Sequence, residues 1–126
     1  MSNRSLGAWG EAVAVRHLKK KGYSIRERNW HTARGELDLV AEDGETIVIV
    51  EVKTRATRTF GPPEEAITPA KRRSLLRTAW IYMERNGLME SDWRVDVIAI
   101  EGSPRGGLER IEHYQNVLDA EPGVLG

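Results

Sequence analysis

Gly35-Glu36-Leu37-Asp38-Leu39-Val40-Ala41-Glu42-Asp43-Gly44-Glu45-Thr46-Ile47-Val48-Ile49-Val50-Glu51-Val52-Lys53-Thr54-Arg55 is the stretch on which the fold turns. It reads as two strands joined at Asp43-Gly44, a dipeptide suited to the positive φ angles of a hairpin turn. With that loop, Glu42 faces Glu45, Asp38 faces Ile49 and Glu36 faces Glu51. Side chains alternate along a strand, so Glu36, Asp38, Glu51 and Lys53 project from one face. Like charges opposed across strands repel. A divalent cation removes that cost, and hard oxygen ligands suit Mg²⁺, which takes one or two carboxylates together with water and phosphate oxygens. The Glu45–Thr54 strand is apolar on both faces up to Glu51, the mark of a central strand covered on both sides.

Outward from this hairpin, charge falls in blocks. Residues 1–34 carry eight Lys/Arg against two Asp/Glu, and residues 35–52 carry six acids and no base. Residues 53–77 are again basic, with seven Lys/Arg against two acids, and residues 78–126 carry four against nine. The total is zero. An acidic island between basic blocks is the distribution that a metal-dependent enzyme acting on a polyanion needs; a solvated charged surface is the plainer alternative. The chain has 126 residues, enough for one domain with one core. No apolar run approaches the ~20 residues that span a bilayer, and no signal-peptide core is present. There is no cysteine, hence no disulfide framework or thiolate metal site. These features lead to the expectation of a cytoplasmic protein with no membrane partner.

Before the hairpin, Ser5 to Lys21 reads as a helix with Ala8, Ala12, Val15 and Leu18 as its apolar stripe. Glu11 lies inside that stripe and needs a partner, either a cation such as Arg28 or Lys53 or a metal. Tyr23 to Trp30 alternates as a strand, and His31 to Gly35 is a turn. His17, His31 and His113 have no ligand-spaced companions and read as surface or satisfied core. After the hairpin, Arg55 to Thr68 is a Pro-rich loop with Arg55 and Arg58. Thr68 and Pro69 open a second helix as N-cap and first residue, with Leu75, Leu76, Ala79 and Met83 buried. Lys71, Arg72, Arg73 and Arg77 crowd its first turns against the helix dipole, a conflict that phosphate offsets. Arg94 to Ile100 is a strand, and Glu109 to Val117 is one more. Trp30, Phe60 and Trp93 are the aromatics placed for stacking, each better explained as core. No stacked platform or base-reading motif points to sequence-specific recognition.

An Asp-bearing strand, a hairpin and a strand ending Glu51-Val52-Lys53 resemble the core of the PD-(D/E)xK nuclease superfamily. The wider set is Gly7, Gly10-Glu11-Ala12, Gly22-Tyr23, Arg28-Asn29, Gly35-Glu36-Leu37-Asp38, Val50 to Arg55, Phe60-Gly61, Lys71 and Arg94-Val95-Asp96. Together it resembles the YraN-like family of bacterial proteins, itself similar to archaeal-type Holliday-junction resolvases. The resemblance implies an α/β, single-domain, restriction-endonuclease-like core over residues 1–118. Its order is helix, three strands, helix, strand, with a mixed central sheet flanked by helices, and residues 119–126 form a loosely held tail.

By the same resemblance, Asp38 and Glu51 hold Mg²⁺ or Mn²⁺. Lys53 orients water or stabilises the phosphate, and Glu11 assists from the first helix. Glu36 supports the site from the strand's far end. From the charge pattern of the loop and of the second helix, Arg55, Arg58, Lys71, Arg72 and Arg73 are expected to contact nucleic acid, DNA ahead of RNA. One departure is Leu37, where the superfamily has proline. The expected activity is Mg²⁺-dependent endonucleolytic cleavage of DNA, including branched DNA. One cluster per chain makes a homodimer the natural unit for resolving a junction. The alternatives are a non-cleaving nucleic-acid-binding module and a protein-interaction domain.

Overall fold

The computed structural model describes residues 3–56 and 68–117. Its centre is β3 (Thr46–Arg55), whose Ile47, Val48, Ile49 and Val50 are all buried because both faces are covered. In chain order the elements are α1 (Asn3–Lys20), β1 (Ser24–Thr32), β2 (Gly35–Asp43), β3, α2 (Pro69–Arg85), β4 (Trp93–Ser103) and β5 (Gly107–Tyr114). The five strands lie in the order β1-β2-β3-β4-β5. Every neighbouring pair is antiparallel except β3–β4, which is parallel and is bridged by the α2 crossover. The sheet is therefore mixed, with β3 central. The fifth strand, read from sequence as Glu109 to Val117, starts two residues earlier and ends at Tyr114.

Each face carries one helix and one core. Val13, Ala14, Val15 and Leu18 of α1 pack with Leu39, Ala41, Val48, Val50, Ile98 and Ile100. Leu75, Ala79, Tyr82 and Met83 of α2 pack with Leu37, Val40, Ile47, Ile49 and Val95 on the other side. Thr68 caps α2 as its sequence promised: its backbone is extended, and its side chain accepts the Lys71 N–H at 3.2 Å. Most of the predicted Arg55–Thr68 loop, with Arg58 and Phe60, lies outside the described residues, as does the predicted tail.

Two details correct the sequence reading. The β2–β3 turn uses Gly44-Glu45, not Asp43-Gly44, since Asp43 pairs with Thr46 and Glu42 with Ile47. Gly44 takes φ +61° at the first central position, where a type II′ turn wants glycine. Val40, not Asp38, faces Ile49. The shift is two residues, so the faces of the paired residues 39–43 are unchanged where a one-residue slip would have exchanged them.

The second correction is α1, where Ala8 is exposed and Ala12 half-buried, while Gly10, Val13 and Ala14 are buried. The helix docks on Gly10, where a Cβ would overlap the Thr54 side chain of β3. Gly10→Ala therefore pushes α1 off the sheet. Overpacking costs about 1–3 kcal/mol, against roughly 1 kcal/mol gained in helix propensity. A lowered melting temperature, despite the better helix former, is the expected result of a thermal melt.

Candidate functional site

The β2–β3 ladder runs from Asp43↔Thr46 to Leu39↔Val50 and stops there. Carried one step further, the observed register sets Asp38 opposite Glu51. Instead of main chain pairing with main chain, the Asp38 carboxylate accepts the Val52 N–H at 2.8 Å. Leu37 and Leu39, two apart on one strand, are buried in different cores, so β2 turns about its axis at Asp38. On the other side of β2, Asn29 lies across from Asp38 in the β1–β2 register and has φ +54°. A left-handed backbone at a non-glycine residue is uncommon, and asparagine tolerates it better than most. Here it directs the Asn29 amide to Glu11 on α1, 2.9 Å away.

Four predicted catalytic residues thus meet at one end of the sheet. Lys53 Nζ lies 3.1 Å from Glu51 Oε1, both side chains mostly covered. Lys71 comes from the N-terminus of α2, and its amine lies close enough to Lys53 for the two charges to interact. Glu36 and Glu51 share with Lys71, Ser74 and Leu75 the wall of a cavity of about 180 Å³. Glu11 is held by Asn29 rather than by Arg28 or Lys53, and it lies close enough to Asp38 to repel it. A larger groove, about 460 Å³ between α1 and β5, contains no carboxylate. Size alone does not mark the chemistry.

The electrostatics follow from this crowding. Burial pushes the Asp38 carboxyl up, and the charges of Glu51 and Glu11 add to it. The Val52 N–H and Lys53 pull the other way and lose, so Asp38 titrates at about 7 instead of 3.8. Burial disfavours the Lys53 ammonium, but Glu51, Lys71 and Asp38 outweigh it and hold the lysine above its ordinary value. Lys71 moves down, chiefly through its hydrogen bond to Lys53 and the repulsion from that charge. Of two adjacent amines, the one more strongly drawn by the carboxylates is the stronger base. Among the described residues no three carboxylate or imidazole groups close on one point as a ready-made metal cage.

Of the basic residues predicted to bind nucleic acid, Arg58 lies outside the described residues, and Lys71, Arg72 and Arg73 point to different sides of α2. Lys71 points to the carboxylates, whereas Arg73 is exposed and Arg72 half-buried. At 100° per residue, Arg73 lies on the side of α2 away from the buried Leu75, Thr78 and Tyr82. Arg55 ends β3 at the site, two residues beyond Lys53. Sequence reading missed Asn29 as the residue that orients Glu11; a left-handed backbone leaves no trace in hydrophobic periodicity. His113, read as surface or satisfied core, is the latter: its Nε2 lies 2.7 Å from a fully buried Asp96.

The model of the uncharacterised protein family UPF0102 matches residues 10–100. A UPF0102 protein of Syntrophomonas wolfei is 46% identical over 116 residues, covering 92% of this chain and 99% of the relative. One from Beutenbergia cavernae is 45% identical over 113 residues, covering 90% and 95%. A third, from Geobacter metallireducens, is 41% identical over 119 residues, covering 94% and 96%. The matched span contains Glu11, Asp38, Glu51, Lys53 and Lys71 together.

Proposed function

The chain belongs to the UPF0102 family, and for it we propose metal-dependent endonucleolytic hydrolysis of phosphodiester bonds in DNA. The observation that carries this reading is the crowding of Asp38, Glu51 and Glu11 beside two lysines, which drives Asp38 up to about 7. A structural ion-pair network would relieve its carboxylates; this one leaves Asp38 strained in the absence of a cation.

The donor set fits Mg²⁺ or Mn²⁺. Asp38 and Glu51 are hard oxygen donors on adjacent strands, and Mg²⁺ needs only one or two carboxylates beside water and phosphate oxygens. When bound, the ion neutralises charge on the phosphate and acidifies water. The chain's own residues supply the rest. The interrupted ladder fixes Asp38 through Val52, which places a carboxylate rigidly on a strand, as phosphoryl transfer requires. Lys53, steadied by Glu51, presents an ammonium to a phosphate oxygen. Lys71 offers a second amine from the start of α2, where helix N–H groups also favour an anion. In this reading Glu11, oriented by Asn29, takes a proton from the attacking water.

A nicking assay on duplex, single-stranded and four-way-junction DNA with Mg²⁺ or Mn²⁺ tests this directly. Lys53→Ala should lower cleavage by about 10²–10³-fold, the cost of losing one preorganised donor. Metal binding, followed by calorimetry, should persist because Asp38 and Glu51 remain. A wild-type protein that binds DNA yet cuts none of these substrates would leave the non-cleaving module in its place.

A further inference from the structure

The outer face of α2 carries a feature that the cleft chemistry does not use. Arg73, Arg77 and Trp80 follow one another at spacings of four and three, so they form one stripe on the side away from the sheet. Trp80 is 53% exposed. The other tryptophans are accounted for: Trp9 packs against the α1 core, and Trp30 and Trp93 against the α2 core. Trp30 also meets Tyr82 edge-on at 5.0 Å. Trp80 alone joins neither core cluster. Arg73 and Arg77 are exposed, and no residue three or four positions from either is acidic. Glu84, exposed and four residues beyond Trp80, closes the far end of the stripe, so its positive charge lies on the N-terminal side of the indole.

We propose that this stripe receives an unpaired nucleic-acid strand, one base stacked on Trp80 and the flanking phosphates on Arg77 and Arg73. A base inside a duplex has its faces covered by its neighbours, so the indole selects an unpaired strand, an overhang or a branch. Stacking on an aromatic side chain tolerates any base, and arginine suits phosphate. The stripe begins at the end of α2 from which Lys71 reaches Lys53, and Trp80 lies roughly 14 Å further along the axis. A substrate with one phosphodiester in the cleft can thus lay an unpaired arm along the helix. The proposal rests on the phosphodiesterase reading for what happens in the cleft, but binding to the stripe requires no cutting.

The test uses the full chain in EDTA, with fluorescence anisotropy on oligo(dT), a blunt duplex, and the same duplex bearing a single-stranded overhang. Trp80→Ala should weaken oligo(dT) and overhang binding about tenfold or more and leave the blunt duplex within about twofold, since stacking contributes ~1–3 kcal/mol per base. Trp80→Phe should recover most of the loss. Oligo(dT) should quench tryptophan emission in the wild type and not in Trp80→Phe. Arg73→Glu with Arg77→Glu should flatten the salt dependence for the overhang substrate. Equal losses on both duplexes, or none on either, would overturn the proposal. So would a Trp80→Ala variant that loses concentration-dependent self-association instead, because the stripe would then be a subunit interface. Cleavage of the overhang duplex by the wild type once Mg²⁺ is restored, with no effect of Trp80→Ala on binding, removes only the stripe. Failure of the wild type to bind or cut any of the three probes once Mg²⁺ is restored removes the phosphodiesterase reading as well.

Discussion

Asp38→Asn is expected to abolish divalent-cation-dependent cleavage and, without metal at pH 8, to stabilise the fold by about 2–4 kcal/mol. Both effects come from one carboxylate. Asp38 titrates at about 7 in the folded chain against 3.8 for an unperturbed group. The folded state therefore binds its proton more tightly than the unfolded state does. Any stability tied to that proton is fully present below about pH 4 and is lost as pH rises through 7. Asparagine does not titrate, and its carbonyl can still accept the Val52 N–H. The gap between variant and wild type should therefore open between pH 4 and 7 and stay open above. Thermal melts at pH 4 and pH 8 read it. Saturating Mg²⁺ should then close it, because a ligand at 100 times its Kd adds about 2.7 kcal/mol to the protein that binds it. A variant that melts below the wild type at pH 8 would make the cluster a structural one.

Asp96→Asn should act in the opposite direction, costing about 3–5 kcal/mol, the usual result of removing one partner from a buried charged network. Asp96 is fully buried on β4. Burial pushes its carboxyl up, but His113, the Asn116 N–H and Arg94 together prevail and hold it below its ordinary value. Its oxygens lie 2.7 Å from His113 Nε2, 2.9 Å from the Asn116 nitrogen and 3.0 Å from Arg94 Nε. An Asn amide would turn donors toward donors. His113 cannot easily adapt by switching tautomer, because its Nδ1 already faces the Lys21 ammonium at 2.9 Å. Because the folded carboxyl is the more acidic one, the wild type keeps this stability above about pH 4 and loses it as pH falls further. The variant's deficit should shrink on acidification. Denaturant melts at neutral pH and near pH 3 would show it, and a variant as stable as the wild type at pH 7 would refute the assignment.

The parts of this protein that could be read from sequence are those governed by period and parity. The two-sided apolar run in β3 placed that strand at the centre. Thr68-Pro69 marked the start of α2 through a local hydrogen bond and a fixed φ. The turn was displaced by one residue because Asp43-Gly44 and Gly44-Glu45 both put glycine where a positive φ is available. Alternation held for residues 39–43; Glu36 and Glu51 still line one cavity, but only because β2 turns at Asp38, which alternation does not show. What escaped depends on absence or distance. Gly10 docks α1 by having no side chain, which a count of apolar residues cannot register. Asp96 and His113 are on different strands, at a separation that no motif encodes. The outward turn of Trp80 follows only once the buried side of α2 is fixed by Thr78 and Tyr82, neither of which is an obvious core residue.

The irregularity of β1 has a bearing on what this sheet can join. β1 is an edge strand, and an intact edge offers a row of unpaired N–H and C=O groups to any extended chain that meets it. Here the register slips between Ile25 and Glu27, and three residues later Asn29 turns left-handed. An incoming strand finds no run of evenly spaced partners, and Arg26, Glu27 and Arg28 place charge along the same border. The contortion that hands the Asn29 amide to Glu11 therefore also makes this margin a poor template for fibre growth or for sheet extension by a second copy.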